Sequence, residues 1–382
     1  MREGGPASKD LPICCHWRAG SILADLSVLM TMSRTQMILS VLVVPFVARW
    51  AYKRALTLAA IDPKNIGARL TAPLLCSYSF EGDAFYAADG APAPVVAQRK
   101  AGMARLMGAL APGAKSAEAE ATMEGLSDLR FTDTNRVPFA FQKEMRSKLR
   151  VSSIVATSDG PVLRDIDGKD SLDVSGSYGV NVVGYEGYKG FVERGWARVK
   201  DLGPNVLGPL HPEVAGVIAR LKRISGLDEV SFHMSGTEAV MCAVRMARFN
   251  TRRKLIVTFA GAYHGWWDGV QPGAGNERFT SDVLALKDMS PASLRVIEAR
   301  ASEIAAVLVS PLQGLNPGSP PPSDMVLLDA KVRSTNDKIA DYTAWLHKLR
   351  ALTTKVGVPL MFDEVYTGFR MARNGAQEFY GV

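Results

Sequence analysis

The stretch PLMFDEVYTGFR, residues 359–370, indicates the fold class because it places an acidic pair directly after an apolar run. The run VPLMF has the length and composition of a buried strand, so Asp363 and Glu364 follow its carboxyl end. Open α/β sheets bind their ligands at this edge. Asp363 is therefore a candidate ligand-binding residue; the alternative is a strand-end carboxylate that caps nearby backbone N–H groups.

Similar apolar runs alternate with amphipathic segments from Leu126 onward, which predicts an α/β layer fold with a largely parallel sheet. The predicted strands are SSIVAT (152–157), VLRDID (162–167), EVSFHM (229–234), KLIVTFAG (254–261), AAVLVSPL (305–312) and PLMFDEV (359–365). The predicted helices are PEVAGVIARLKRIS (212–225), TEAVMCAVRMARFN (237–250), PASLRVIEARA (291–301) and YTAWLHKLRALTTKV (342–356).

Composition narrows the class of protein. The chain has 382 residues, 47% of them hydrophobic and 22% charged, which is typical of a globular protein with one or two cores. The formal net charge is +7, but the basic residues are scattered, so nucleic-acid binding is not favoured. The four cysteines (Cys14, Cys15, Cys76 and Cys242) lack zinc or disulfide spacing. We expect no metal site and a reducing, cytoplasmic setting.

One stretch, MILSVLVVPFVARWAY (37–52), resembles a membrane segment. Pro45 interrupts it and Arg49 follows too soon for the ~20 apolar residues that a spanning helix needs. No stable membrane insertion is expected. A buried or docking helix, a membrane-surface anchor and a signal-peptide core stay open.

Two further loops carry chemistry. In MSGTEAV, residues 234–240, Ser235, Gly236 and Thr237 open a helix whose free N–H groups suit a phosphate; an ordinary N-cap is the alternative. In FAGAYHGWWDGV, residues 259–270, Tyr263 follows a strand and can cover a planar cofactor, although core packing explains an aromatic equally well. His264 lacks the second ligand that a metal would need.

These motifs resemble those of the class III, fold type I, pyridoxal-phosphate aminotransferases, most closely the glutamate-1-semialdehyde aminomutase branch. The resemblance rests on DIDGKDSLDVSGSYGVNVVGY, GPLHPEV, MSGTEAVMCAVRMAR, AYHGWWDGV and MFDEVYTGFR, in the family's order. It implies a mixed, mostly parallel sheet flanked by helices, with an incomplete C-terminal part. The GSYGVN and LGPLHP motifs also resemble those of the aminotransferase domains of polyketide and nonribosomal peptide synthases.

The resemblance implies a role for each motif residue. Ser235, Gly236 and Thr237 would bind the phosphate of pyridoxal 5'-phosphate, and His264 would join the cofactor site. Tyr263 and Val365 would cover the two ring faces, and Asp363 would pair with the ring nitrogen. Ser177 and Tyr178 would line the substrate side, and Arg136 would grip a substrate carboxylate.

The resemblance also implies an organisation. We expect an N-terminal extension of unknown role at 1–125, the first segment of a small domain at 126–190 and the cofactor-binding large domain at 191–382. The family's Schiff-base lysine follows the Asp-Glu pair, whereas the last lysine of this chain is Lys355. We therefore expect a truncated product without turnover, whose intact form is a homodimer.

Three functions stay open: a glutamate-1-semialdehyde aminomutase-like enzyme acting on an amino acid or amino aldehyde, a synthase-associated or ω-type aminotransferase, and a non-catalytic protein of the same fold. Ser310 stands where the family has the Glu of a Glu-Pro pair, so the substrate is less certain than the cofactor. The stretch GKDSL (168–172) fits a carrier-protein serine motif, but the glycines around it predict a turn between strands.

Overall fold

The computed structural model describes residues 34–61, 79–127, 139–149, 154–176, 181–201, 210–270, 281–311 and 339–382. The predicted site residues Arg136, Ser177 and Tyr178 lie outside these ranges. None of the described helices is long and apolar enough to cross a bilayer.

The described helices are α1 (Arg34–Ala60), α2 (Asp83–Tyr86), α3 (Ala93–Ala109), α4 (Ala114–Thr122), α5 (Phe139–Lys148), α6 (Gly184–Val199), α7 (Glu213–Ser225), α8 (Gly236–Thr251), α9 (Pro291–Ala299), α10 (Ile339–Lys355) and α11 (Ala376–Tyr380). A 3₁₀ turn covers Met123–Gly125. The strands are β1 (Val155–Asp159), β2 (Val162–Asp165), β3 (Asp170–Leu172), β4 (Leu255–Phe259), β5 (Val283–Leu286), β6 (Ile304–Val309) and β7 (Leu360–Phe362).

The chain divides into two compact units, Met1–Leu56 and Thr57–Val382. The described part of the first unit is helical and belongs to α1. The second unit contains both sheets, so every candidate residue of the site that the structure describes belongs to it.

The main sheet has four strands in the order β5-β4-β6-β7, and every neighbouring pair is parallel. The predicted α/β fold with a mostly parallel sheet is confirmed. The central strands β4 and β6 are buried along their whole length, which explains why they read as continuous apolar runs. Strand order brings the carboxyl ends of β4, β6 and β7 to one edge.

The core lies between this sheet and its helices. One buried cluster joins α8 to β4 and β6; its members are Val240, Val244, Ala247, Ile256, Val270, Ala305, Ala306 and Leu308. Helix α10 buries Tyr342 and Trp345, and the Trp345 ring meets Phe259 edge-to-face with centroids 4.9 Å apart. The apolar periodicity of both helices therefore reflects packing on the sheet.

The second sheet is an antiparallel meander, β1-β2-β3. The stretch GKDSL forms the turn and strand between β2 and the end of β3, and Gly168 has the positive φ of 84° that such a turn requires. The prediction of a turn between strands is confirmed.

One strand prediction is wrong, and one strand was not predicted. Residues 229–234 are not a strand: no described strand pairs with them, and the N–H of Met234 donates instead to Glu238 Oε2 at 2.8 Å. Strand β5 was missed, because its four residues are too short a run to separate from a loop by periodicity alone.

Candidate functional site at the carboxyl edge of the parallel sheet

Helix α8 supplies the first part of the site. Ser235 is its N-cap, with an extended backbone, and Ser235 Oγ accepts a hydrogen bond from Glu238 N at 3.2 Å. The first N–H groups of a helix have no partner within it, so this turn presents donors and the positive end of the helix dipole. The cap and the phosphate cradle, opposed alternatives at the level of sequence, are thus compatible at one helix start.

The loop after β4 lies against this helix start. A Cβ atom placed on Gly265 would stand 2.5 Å from Thr237 Oγ1 and 3.0 Å from Thr237 Cα. Gly265 also has a φ of 91°, which L side chains rarely adopt. Glycine at this position lets the loop that carries Tyr263 and His264 approach the helix start closely.

The loop after β7 reaches the same place. A Cβ atom on Gly236 would stand 3.1 Å from Val365 Cγ2. Asp363 follows β7 directly, and its N–H donates to Val309 O at 2.8 Å, which extends the pairing of β7 with β6. The three segments 235–237, 263–265 and 363–365 therefore lie close together. The first begins helix α8, the second follows strand β4 and the third follows strand β7.

Asp363 and His264 form the buried centre of the site. His264 Nδ1 is 2.8 Å from Asp363 Oδ2, and their side chains are 0% and 8% exposed. Because a carboxylate only accepts hydrogen bonds, the imidazole donates. Asp363 Oδ1 accepts from Val365 N at 3.2 Å, so both carboxylate oxygens are held in place.

The neighbouring acid, Glu364, has a different role. Its carboxylate accepts from Ala376 N at 2.8 Å and from Thr367 Oγ1 at 2.7 Å, which ties the loop after β7 to the start of α11. The two acids of the pair thus have separate roles: Asp363 belongs to the candidate site, and Glu364 anchors the loop that carries Val365. Sequence reasoning missed this role; no local pattern connects Glu364 to a helix twelve residues away.

Tyr263 and Val365 remain accessible, with 53% and 57% of their surfaces exposed. Tyr263 directly precedes His264 in the chain, and Val365 follows Asp363 by two residues, so an aromatic and an aliphatic side chain accompany the buried pair. This set has the chemistry of a site for a phosphorylated heteroaromatic ring: anion donors, apolar groups for ring faces and a fixed carboxylate. In addition, His264 Nε2 is buried without a hydrogen-bond partner in the described part of the chain.

Lys355 and Ser310, which the sequence analysis also singled out, lie outside the cluster around His264 and Asp363. Lys355 lies at the end of α10, before β7, and its Nζ is 2.9 Å from Glu298 Oε1. It therefore sits toward the amino end of β7, at the opposite edge from Asp363. Ser310 follows β6, is 8% exposed, and its carbonyl oxygen accepts from the hydroxyl of Tyr342 at 3.2 Å.

Within the described residues no group of His, Cys, Asp and Glu side chains is arranged to hold a metal ion. The parallel sheet with flanking helices makes this an α/β protein whose candidate residues converge at the carboxyl edge. A family model, "Aminotransferase class-III", matches residues 145–382. The chain belongs to the class-III aminotransferase family.

Similar proteins agree with this assignment. The chain is 34% identical over 243 residues to the glutamate-1-semialdehyde 2,1-aminomutase of Flavobacterium johnsoniae, covering 60% of this chain and 52% of that protein. It is 30% identical over 261 residues to the same-named protein of Methanosphaera stadtmanae, covering 65% and 56%. The chain thus spans about half the length of these curated relatives. A Bacillus anthracis aminotransferase shares the fold, with a TM-score of 0.50, 19% identity, and coverage of 68% of this chain and 60% of that one.

Proposed function

We propose that this chain binds pyridoxal 5'-phosphate and forms the cofactor-binding part of an aminotransferase or aminomutase acting on an amino acid or amino aldehyde. The observation that carries the proposal is the buried pair of His264 and Asp363 beside the start of α8. The similarity to glutamate-1-semialdehyde 2,1-aminomutases favours that substrate class.

Different residues would bind different parts of the cofactor. Thr237 and the first N–H groups of α8 would hold the phosphate, because a helix start combines free donors with a favourable dipole. Tyr263 and Val365 would cover the faces of the ring. The 3.1 Å approach between the Gly236 position and Val365 explains why the first helical residue lacks a side chain.

Asp363 would hold a proton on the ring nitrogen. The bound cofactor, when protonated there, supplies an electron sink for chemistry at the amine-bearing carbon. For this role the carboxylate must be oriented in an environment with little water. His264 donates a hydrogen bond to Oδ2 at 2.8 Å, and the Asp363 side chain is only 8% exposed.

We also propose that the protein is a homodimer in the cytoplasm, and that Ser177, Tyr178 and Arg136 contact the substrate. We further propose an N-terminal extension at 1–125, a small-domain segment at 126–190 and a cofactor-binding domain at 191–382. The resemblance to aminotransferases of this fold type supports them, and the family match beginning at residue 145 supports an N-terminal region that is distinct from the family domain.

The test measures binding of pyridoxamine 5'-phosphate, which requires no covalent bond to a lysine, by calorimetry on the chain itself. Wild type should bind, and Asp363→Ala should lose roughly 10- to 100-fold in affinity, since a hydrogen bond to a charged group contributes about 1.5–3 kcal/mol. Asp228→Ala removes an exposed acid and is the control. Absence of binding by wild type, or equal affinity of Asp363→Ala, would overturn the proposal.

A second measurement separates the enzyme classes. Glutamate-1-semialdehyde, or an amino donor with a keto acid, is supplied with the cofactor, and products are separated by mass. Conversion of the semialdehyde alone supports the aminomutase. Transfer only from the external donor supports an ω-type aminotransferase. Binding without either conversion is the outcome expected for a chain whose last lysine is Lys355, and it agrees equally with a non-catalytic protein of this fold.

A further inference from the structure

The outer face of helix α8 carries an open groove with a volume of about 630 Å³. The groove is lined by Glu238, Met241, Cys242, Arg245, Met246 and Phe249, with His233 and Asn250 at its two ends. Of its apolar side chains, Met246 is 51% exposed and Phe249 is 65% exposed. Apolar surface left open in this way is typical of a binding site for another molecule.

The groove and the core lie on opposite sides of the same helix. Val240, Val244 and Ala247 belong to the buried cluster that α8 shares with the sheet. The groove residues at 238, 242, 245 and 249 follow one another at intervals of four, three and four, so they form one stripe of a helix with 3.6 residues per turn. This stripe points away from the core, so the sheet cannot cover it.

The groove carries one acid and one base. Arg245 is exposed and forms no ion pair with any residue that the structure describes. Glu238 Oε2 accepts a hydrogen bond from Met234 N at 2.8 Å, and in the described part of the chain its Oε1 has no partner. The two charges lie seven residues apart, about two helical turns. A molecule that fills the groove must therefore present both signs of charge at this spacing.

The groove residues are arranged symmetrically about the peptide bond between Met241 and Cys242. Glu238 precedes this bond by as many residues as Arg245 follows it. A two-fold axis at this bond, perpendicular to the helix, would lay a second α8 antiparallel on the first. Each Glu238 would then lie level with the partner's Arg245, because a two-fold contact repeats every pair of residues in reverse.

The ends of the groove match in the same register. Met234, which is 93% exposed, would lie level with the partner's Phe249, so two open apolar side chains would cover each other. His233 would lie level with the partner's Asn250, which joins two polar groups. One axis position thus pairs acid with base, apolar with apolar and polar with polar.

We propose that two copies of this chain associate through α8, antiparallel, with the two-fold axis beside Met241 and Cys242. The inference rests on the homodimer proposed above and assigns its contact surface. Partners of a single charge sign fit less well, since an anionic membrane or a nucleic acid would attract Arg245 but repel Glu238.

The test is sedimentation velocity of the full chain, for which we expect a dimer. Arg245→Glu puts like charges opposite each other at two places, because the symmetry repeats the contact. It should raise the dissociation constant of the dimer by roughly 100-fold or more, since facing like charges cost several kcal/mol. Arg220→Glu, at an exposed position on α7, changes the net charge equally and is the control.

A charge exchange makes the test specific. Glu238→Arg should also weaken the dimer, whereas Glu238→Arg combined with Arg245→Glu should restore it, because the acid and the base then change places. Circular dichroism checks that each variant is folded. A folded double variant that associates no better than the single variants would overturn the proposed register.

Cys242 allows a second measurement without any change of charge. In a background of Cys14→Ser, Cys15→Ser and Cys76→Ser, a short bismaleimide should join two copies through Cys242, which lies beside the axis. With Cys242→Ser and Asn250→Cys in that background, no cross-link should form, because the two thiols would be about 25 Å apart along the helices.

The outcomes separate this inference from the rest of the proposed function. A chain that sediments as a monomer would overturn both the surface and the homodimer. A dimer that persists in Arg245→Glu, or that cross-links through position 250 but not 242, would overturn the assignment to α8 and leave the homodimer standing. Binding of pyridoxamine 5'-phosphate is measured independently by calorimetry, so its failure is distinct from both.

Discussion

His264 and Asp363 are 99 residues apart in the chain, yet Nδ1 of the imidazole lies 2.8 Å from Oδ2 of the carboxylate. The first follows β4 and the second follows β7, with β6 between these strands. The hydrogen bond therefore crosses over the carboxyl end of β6. Both side chains are almost fully buried, so breaking the bond would leave each polar group without a water molecule to replace its partner.

Replacement of His264 should affect stability and cofactor affinity together. His264→Ala leaves one oxygen of a buried carboxylate without its donor, which costs about 1–3 kcal/mol of unfolding free energy. Affinity for pyridoxamine 5'-phosphate should fall because the carboxylate is no longer held. Denaturant unfolding and calorimetry measure the two effects.

His264→Asn is the comparison, because its amide N–H can still donate to Asp363. We expect it to recover part of the affinity that His264→Ala loses. If the asparagine and alanine variants bind equally well, the imidazole acts only by packing.

Gly265→Ala should weaken cofactor binding, because the added methyl group would overlap Thr237 Oγ1 at the helix start. Gly357 has a positive φ of 63° and open space around its Cβ position, so Gly357→Ala has backbone strain without the overlap. Both variants should lose stability, but only Gly265→Ala should lose affinity, as measured by calorimetry. Equal affinities would contradict the close approach of the two segments.

Glu364→Ala should release the loop after β7 from the start of α11. The variant loses the acceptor for Ala376 N and Thr367 Oγ1, and we expect a cost of about 1–3 kcal/mol. Hydrogen exchange at residues 374–382 should become faster. Glu378→Ala, which removes an exposed acceptor for Asn374 N, should change exchange less; the reverse order would show that Glu364 is not the anchor.

The shifted pKa of Asp288 predicts that the unfolding free energy of the protein depends on pH. Burial raises the pKa of this carboxyl to about 6, and the hydrogen bond from Met289 N only partly opposes it. With a folded pKa above the unfolded one, the native state binds the proton more strongly. The stability gained from the protonated carboxyl is present below about pH 4 and is lost as the pH rises to about 6.

Asp288→Asn should therefore stabilise the protein at pH 7 by on the order of 1–3 kcal/mol, since one pKa unit corresponds to about 1.4 kcal/mol. The gain should shrink at pH 4, as measured by urea unfolding at both values. Asp228→Asn, at an exposed position, is the control. A gain of the same size at both pH values would rule out the buried charge as its cause.

Elements with local signals could be predicted from the amino-acid order alone. Ser235 before an apolar period of 3.6 marks the start of α8, and continuous apolar runs mark β4 and β6, because capping and burial act within a few residues. The order of the motifs along the chain also indicated the family. These features require no knowledge of what lies across the sheet.

Which strand ends meet could be read only from the folded chain. Strand order depends on hydrogen bonds between segments distant in the chain, and no local period records them. For this reason residues 229–234, with strand-like composition, form no strand in the described structure, while the short β5 is a full sheet member. The same long-range pairing sets His264 against Asp363, because β6 lies between β4 and β7. Gly265 meets Thr237 because α8 packs on the sheet whose strand β4 precedes the Gly265 loop.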